Sequence, residues 1–376
     1  MTARVPEINR VTPRERLLTT LRGERADRVP LELEGFGYPS LDQVVEEPNR
    51  QIVARTLDRM HFYVSVPSQV NRYLVTPAAR MTSESTDTPD GGMTTTTRIA
   101  TPRGPLTAVT CRAPTSNTWW HAKYPVESLD DIEAIRSVPW QRPTGLSVAD
   151  RRNLPEAFAQ RGILRTHISS PFVCVAGMMR YERFLELCAT DFELIRALTQ
   201  QCFDRIMDTL DVRLADGGIE VVWMGGCEWL TPPMGSPWLY DELVQAFEAR
   251  IIERCHAAGA LVHVHCHGKV RSTLQQAIAR GTDFFEPVEP PPDGDIAFAE
   301  AKALTAGRMT LGGNVEARVL ENETPEAVER ATRAAFEGGR QRMVLRNSAC
   351  PISTLTPNVV ANYHRMIDVW EELSPI

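Results

Sequence analysis

Leu261-Val-His-Val-His-Cys-His-Gly268 is the segment of this 376-residue chain that says most about its architecture. Valine alternates with histidine, the period-two pattern of a strand. On a strand His263, His265 and His267 share one face, while Val264 and Cys266 share the other. Three imidazoles on one face are a poor filling for an apolar core. Gly268 ends the run and leaves His265 and His267 near the strand's C-terminal end, where barrel enzymes carry their catalytic groups.

Working outward, further short apolar runs read as strands: Arg28–Leu33, Arg165–Val173, Glu220–Gly226, Thr282–Val288, Arg308–Val315 and Arg342–Ser348. Helical patterns separate them, among them Tyr181–Cys188, Phe192–Ala215, Leu239–Ala258, Val270–Ala279 and Pro325–Glu337. Alternation of this kind is the signature of α/β architecture. No linker, low-complexity tract or repeat divides the chain, so residues 1–376 are expected to form a single (β/α)₈ TIM barrel. Met93–Ala100 and Leu106–Cys111 break the rhythm and read as a β-hairpin inserted over the barrel mouth. The competing arrangement, an open doubly wound sheet, would be favoured by a glycine-rich phosphate loop, and neither GxGxxG nor GxxxxGK[ST] occurs.

A formal charge of −7 argues against nucleic acid as the main partner. The eight cysteines show no disulfide spacing, the N-terminus lacks the apolar core of a signal peptide, and no apolar run is long enough to span a membrane. A cytoplasmic protein with reduced thiols is expected.

Glu286 and Glu289 close the strand after the histidine run, and Cys350 follows the last one. In a barrel these ends converge on one rim. His265, His267, Glu289 and Cys350 would then offer two imidazoles, a carboxylate and a thiolate, a set suited to zinc. Singly, each has a blander reading: a strand histidine is usually a satisfied core residue and a cysteine a small hydrophobe. Their combination carries the assignment. Glu228, after another strand, is a candidate base or alternate ligand, or else an ion-pair member. Arg180 and Arg346 are candidate anion binders or structural salt-bridge partners. Asn314 is a candidate for positioning a polar group, and Trp119-Trp120-His121 and Trp229 would form an aromatic lid or core.

Thr12-Pro-Arg-Glu-Arg-Leu-Leu and Leu21-Arg-Gly-Glu-Arg-Ala-Asp-Arg-Val-Pro30 resemble the opening of uroporphyrinogen decarboxylase-like proteins. Met179-Arg-Tyr-Glu-Arg-Phe, Ser236-Pro237, Gly312-Gly-Asn-Val-Glu316, Cys350-Pro-Ile and Thr356-Pro-Asn resemble later family motifs, in order, from about residue 12 to 370. The resemblance implies a (β/α)₈ barrel. True decarboxylases of the family resemble one another in an arginine-rich segment after the first strand, which gathers porphyrinogen carboxylates. Here Leu31-Glu-Leu-Glu-Gly-Phe-Gly-Tyr38 has acids and no arginine, so that substrate is rejected.

The chain is more similar to the coenzyme M methyltransferase and corrinoid-linked demethylation branch, which carries H-x-C and a downstream cysteine. Its spacing also resembles the zinc site of cobalamin-independent methionine synthase. The resemblance implies a zinc-dependent methyltransferase moving a methyl group between a corrinoid and a thiol or tetrahydrofolate-type acceptor. With no D-x-H-x-x-G signature, the methylcorrinoid would arrive on a separate cobalamin-binding protein. His267 stands where the family has cysteine, which removes one negative charge and makes a zinc-bound acceptor thiolate more stable and less nucleophilic. A metal-dependent decarboxylase, lyase or hydrolase using Glu228 for proton transfer is the alternative function, and a catalytically silent binding subunit a third.

Overall fold

The twelve strands of the described residues divide between two sheets because two periodicities divide the sequence. In this computed structural model, which describes residues 11–66, 80–116, 118–144, 155–215 and 217–376, the strands are β1 (Leu31–Glu32), β2 (Phe62–Ser65), β3 (Met81–Asp87), β4 (Met93–Ile99), β5 (Leu106–Arg112), β6 (Trp120–Lys123), β7 (Gly162–Ser169), β8 (Val221–Gly225), β9 (Leu261–His265), β10 (Phe284–Glu286), β11 (Thr310–Val315) and β12 (Met343–Asn347). Apolar, β-branched segments form an all-parallel sheet in the order β1-β12-β11-β10-β9-β8-β7-β2. Such a sheet needs both faces covered, and the intervening helices do this.

The sheet curls until its two edges face each other, giving a TIM-barrel-like α/β fold. Side chains bridge the edges: Tyr63 of β2 donates to Glu32 of β1 at 3.0 Å, and His61 approaches the same carboxylate at 3.3 Å. The helix Pro13–Leu21 plugs the N-terminal end of the curl. It starts cleanly, with Pro13 in its first turn and a reciprocal Thr12–Glu15 capping box. Leu17, Leu18 and Leu21 pack with Ile163, Val221, Phe284 and Val344, all near the starts of their strands. The lumen is therefore apolar at its N-terminal end and open to polar residues at the other.

Seven of the sheet's strands coincide with segments expected from sequence, usually trimmed by a few residues; β2 is the one not anticipated. The segment after Ser169 differs from the expectation, because Pro171–Ala176 turns into a short helix. Residues 81–123 leave the β2–β7 connection to form a separate antiparallel sheet, β3-β4-β5-β6. Met93–Ile99 and Leu106–Arg112 pair within it, flanked by two strands absent from the two-stranded hairpin expected. An isolated bridge from Ser116 to Ser353 ties this sheet to the loop after β12. Among the described residues no helix is long and apolar enough to cross a membrane.

Leu17 is fully buried in the plug, so Leu17→Ala is expected to cost about 2–5 kcal/mol. Chemical denaturation checks this; a change below about 1 kcal/mol would show that the plug contributes little.

Candidate active site

The lumen's polar half is built around β9. Strand alternation sends His263 and His265 inward, while Val264 and Cys266 face the helical layer, both fully buried. On the neighbouring β10, Glu286 is fully buried and lies 2.6 Å from His263 Nε2 and 2.9 Å from His265 Nδ1. Its other oxygen is 2.5 Å from Arg346 of β12. Arg346 also reaches Glu34 at 2.5 Å and Glu32 at 3.6 Å. Gly312 of β11 makes room for this pair: a Cβ there would lie 2.4 Å from Glu286 Cβ and 2.9 Å from Arg346 Cδ.

These contacts set the protonation pattern. Burial opposes charge on Glu286, but Arg346 and the two histidines hold its carboxyl well below the usual range. Glu32 is lowered in the same way, against burial, by Arg346 and His61. Burial likewise opposes charge on His265, yet the Glu286 carboxylate raises that imidazole's pKa. Burial dominates at His263 and lowers it. Burial also raises Glu34, whose side chain remains partly exposed.

The remaining sequence candidates fall into distinct places. His267 lies just beyond β9, its ring 4.6 Å from that of His265 and its Nδ1 3.1 Å from Glu289. Glu289 accepts from Gly268 N–H with its other oxygen at 2.7 Å. Each imidazole thus has Nδ1 on a carboxylate, which leaves its Nε2 as the available donor. Cys350 sits against Gly35, whose Cβ position lies 3.3 Å from Cys350 Cβ. Burial and the nearby Glu34 raise its thiol pKa. Glu34 also interacts electrostatically with His265.

Glu228 faces the same rim. Its pKa is raised by burial and partly restored by His265 and His267, and its Oε2 has no hydrogen-bond partner among the described residues. Cys227, Glu228 and Cys266 bring their donor atoms within 4.8 Å of one another, the one such group of three among the described residues. Asn314 lines the lumen beside Arg346 in register, its amide unpartnered. Arg346 is committed to three carboxylates. Arg180 is exposed and lines a separate hollow of about 250 Å³ with Lys123, Glu127 and Arg183. Trp119 and Trp120 are exposed, whereas Trp229 packs edge-on against Tyr181.

Sequence reasoning missed Glu32, Glu34, Tyr63, Arg165, His167 and Trp223 as pocket residues. With His263 and Arg346 they line a cavity of about 380 Å³. Two signals were present: Leu31-Glu-Leu-Glu34 and Arg165-Thr-His167 each place polar residues on one strand face.

Residues 119–373 match the model of the family described as Uroporphyrinogen decarboxylase (URO-D). No curated protein matches the chain. Among solved structures, a methyltransferase from Methanosarcina mazei is similar in fold, with TM-score 0.61 and 14% identity over 96% of this chain and 99% of that one. A B12-independent methionine synthase from Shewanella sp. W3-18-1, in complex with selenomethionine, aligns at TM-score 0.38 and 9% identity, covering 74% and 73%.

Arg346→Met would strand the Glu286 and Glu32 carboxylates, with an expected cost at neutral pH of about 3–5 kcal/mol. Both folded pKa values are depressed. The pair's contribution is therefore complete above the unfolded carboxyl pKa of about 4.3 and fades as pH falls below it. Urea melts from pH 7 to pH 3 should show the gap between wild type and variant shrinking towards acid. A gap independent of pH would refute the assignment.

Proposed function

The chain belongs to the uroporphyrinogen decarboxylase family, as its match over residues 119–373 shows, and within that family we propose that it is a metal-dependent methyltransferase. The observation that carries this proposal is the pair of strand-end imidazoles, His265 and His267, each held at Nδ1 by a carboxylate. Histidines that bind metals are oriented in this way by a partner on the other ring nitrogen. The donor chemistry suits zinc: His265, His267, Glu289 and Cys350 would hold the ion, with Glu286 orienting His265 from behind. For this Glu289 would have to release His267 Nδ1 and the four would have to close up, since among the described residues the donor atoms that lie within 4.8 Å of one another are those of Cys227, Glu228 and Cys266. When bound, zinc supplies the charge that keeps a thiol deprotonated at neutral pH. A fold neighbour matching over almost its full length is a methyltransferase from Methanosarcina mazei, which supports the same reading.

In the reaction proposed, the acceptor's electron pair forms the bond to the methyl carbon as the bond to the methyl carrier breaks. The carrier is a corrinoid brought by a separate cobalamin-binding protein, and the acceptor is a thiol or a tetrahydrofolate-type molecule. Glu228 is suited to take the acceptor's proton, because its raised pKa makes it a stronger base than an ordinary carboxylate. Trp223, 5.2 Å from the His265 ring, walls the acceptor's approach. The same property of Glu228 supports a second reading, a metal-dependent lyase or hydrolase in which this carboxyl moves the substrate's proton. Turnover with no corrinoid protein present would select that reading.

Chelator-free purified protein is expected to carry about one zinc per chain by plasma mass spectrometry. His265→Ala and Cys350→Ala should each lose it while keeping the fold. Cys266→Ser should retain it, since that thiol lies on the other face of β9 beside Cys227. Absence of zinc after reconstitution would overturn the mechanism, and loss of metal in Cys266→Ser would move the site to Cys227, Glu228 and Cys266.

A further inference from the structure

The lumen cavity holds two guanidinium groups in different circumstances. Arg346 is surrounded by the carboxylates of Glu286, Glu34 and Glu32. Arg165, on β7, lines the same cavity and has no carboxylate partner among the described residues. Its Nε is buried without a hydrogen-bond acceptor. Its guanidinium carbon lies 3.6 Å from the centroid of the Tyr63 ring. Tyr63 is itself fixed by donating to Glu32, so the ring is a rigid platform that holds the guanidinium while leaving its edge available to the cavity.

We propose that Arg165 is the anchor for the carboxylate of a small, singly charged substrate lying in this cavity along Trp223. Rigid, stacked guanidinium groups suit the two-point recognition of carboxylates. His167, two residues along the same strand face, lines the cavity beside it. Burial and the charge of Arg165 push this imidazole down to about 4, so it is neutral and adds a hydrogen bond without adding charge. Trp223 lies between the rings of His167 and His265, 5.3 Å from one and 5.2 Å from the other. An apolar or aromatic body along the indole would therefore extend from the Arg165 end towards β9's strand end. The volume, about 380 Å³, suits a small organic acid.

The other charges restrict the class. Glu32 and Glu34 line the same cavity against Arg346, and Arg165 is the one guanidinium lining it that has no carboxylate partner among the described residues. A monoanion is accommodated; phosphate or a polycarboxylate would be repelled. This inference names the substrate class of the site proposed above and rests on that reading for its catalytic meaning. Its test needs neither metal nor methyl transfer, so the two fail separately.

Benzoate, its uncharged analogue benzamide, phthalate and inorganic phosphate are titrated calorimetrically into the metal-free and the zinc-treated full chain. Benzoate is expected to bind in both forms, with benzamide, phthalate and phosphate at least about tenfold weaker. Arg165→Gln should weaken benzoate by about tenfold or more, and Arg165→Lys by less, because it keeps the charge but loses the planar fork. If Arg165→Gln fails to fold, the Arg165→Lys titration and the benzoate–benzamide difference decide. Three results would overturn the proposal: no benzoate uptake at millimolar concentration, equal binding of benzoate and benzamide, or unchanged affinity in Arg165→Gln. Loss of metal binding with benzoate binding intact would strike the methyltransferase reading alone.

Discussion

Arg346 is the constraint around which the polar half of the lumen is arranged. Desolvating a guanidinium inside a barrel is costly, and attraction offsets that cost only with close, well-placed carboxylates. Here Glu286 comes from β10, while Glu32 and Glu34 come from β1 and the turn after it, so one side chain of β12 ties three strands together. The tie has a chemical consequence. Because Arg346 keeps Glu286 ionised, Glu286 can accept from both His263 and His265 and fix their rings. The orientation of the proposed ligand His265 is thus inherited from a charge pair on the far side of β10.

The two halves of the barrel divide the work. At the N-terminal end Leu17, Leu18 and Leu21 close an apolar plug. At the other end several buried polar groups are answered, Arg346 by three carboxylates, Glu289 by His267 and Gly268 N–H, and Tyr63 by Glu32, whereas Arg165 Nε and Glu228 Oε2 have no hydrogen-bond partner among the described residues. Gly312 shows how tight the answer is, since a single methyl there would collide with both members of the Glu286–Arg346 pair. Behind β9, Cys266 and Cys227 are buried against the helical layer, where burial and their mutual hydrogen bond raise Cys266 well above a free thiol. The strand therefore separates buried thiols on one face from imidazoles oriented by carboxylates on the other.

This division explains what sequence could disclose. The alternation in Leu261–His267 is local, and period two assigns each side chain to its face without knowledge of the partner strands. The ends of β11 and β12 were legible for the same reason, as runs of apolar residues bounded by turns. Strand β2 was not: Phe62-Tyr-Val-Ser65 is four residues long, and its inward Tyr63 is polar-tipped and committed to Glu32, a partner thirty-one residues earlier. For Arg346 sequence left anion binding and a structural salt bridge both open, because nothing local announces Glu32, Glu34 and Glu286. Arg180 and Arg346 are indistinguishable by composition, yet one is exposed on a separate hollow and the other is fully buried. Burial and pairing are tertiary facts, and pattern does not carry them.

The segment Leu31–Tyr38 links fold to chemistry. The resemblance to true uroporphyrinogen decarboxylases implies arginines there, facing a substrate with several carboxylates. In this chain the same position supplies carboxylates, and Arg346 opposite satisfies them internally. The polarity of the contact is inverted: charges that would gather a polyanion are replaced by charges already neutralised within the protein. Left to meet a ligand in this cavity are the guanidinium of Arg165, which has no carboxylate partner among the described residues, the neutral His167 and the indole of Trp223. In the proposed reading, a guanidinium without a carboxylate partner among the described residues, set beside the Glu32 and Glu34 carboxylates, would discriminate by charge number before shape matters. The family scaffold is kept in this chain, while the segment after its first strand carries acids where the resemblance implies arginines.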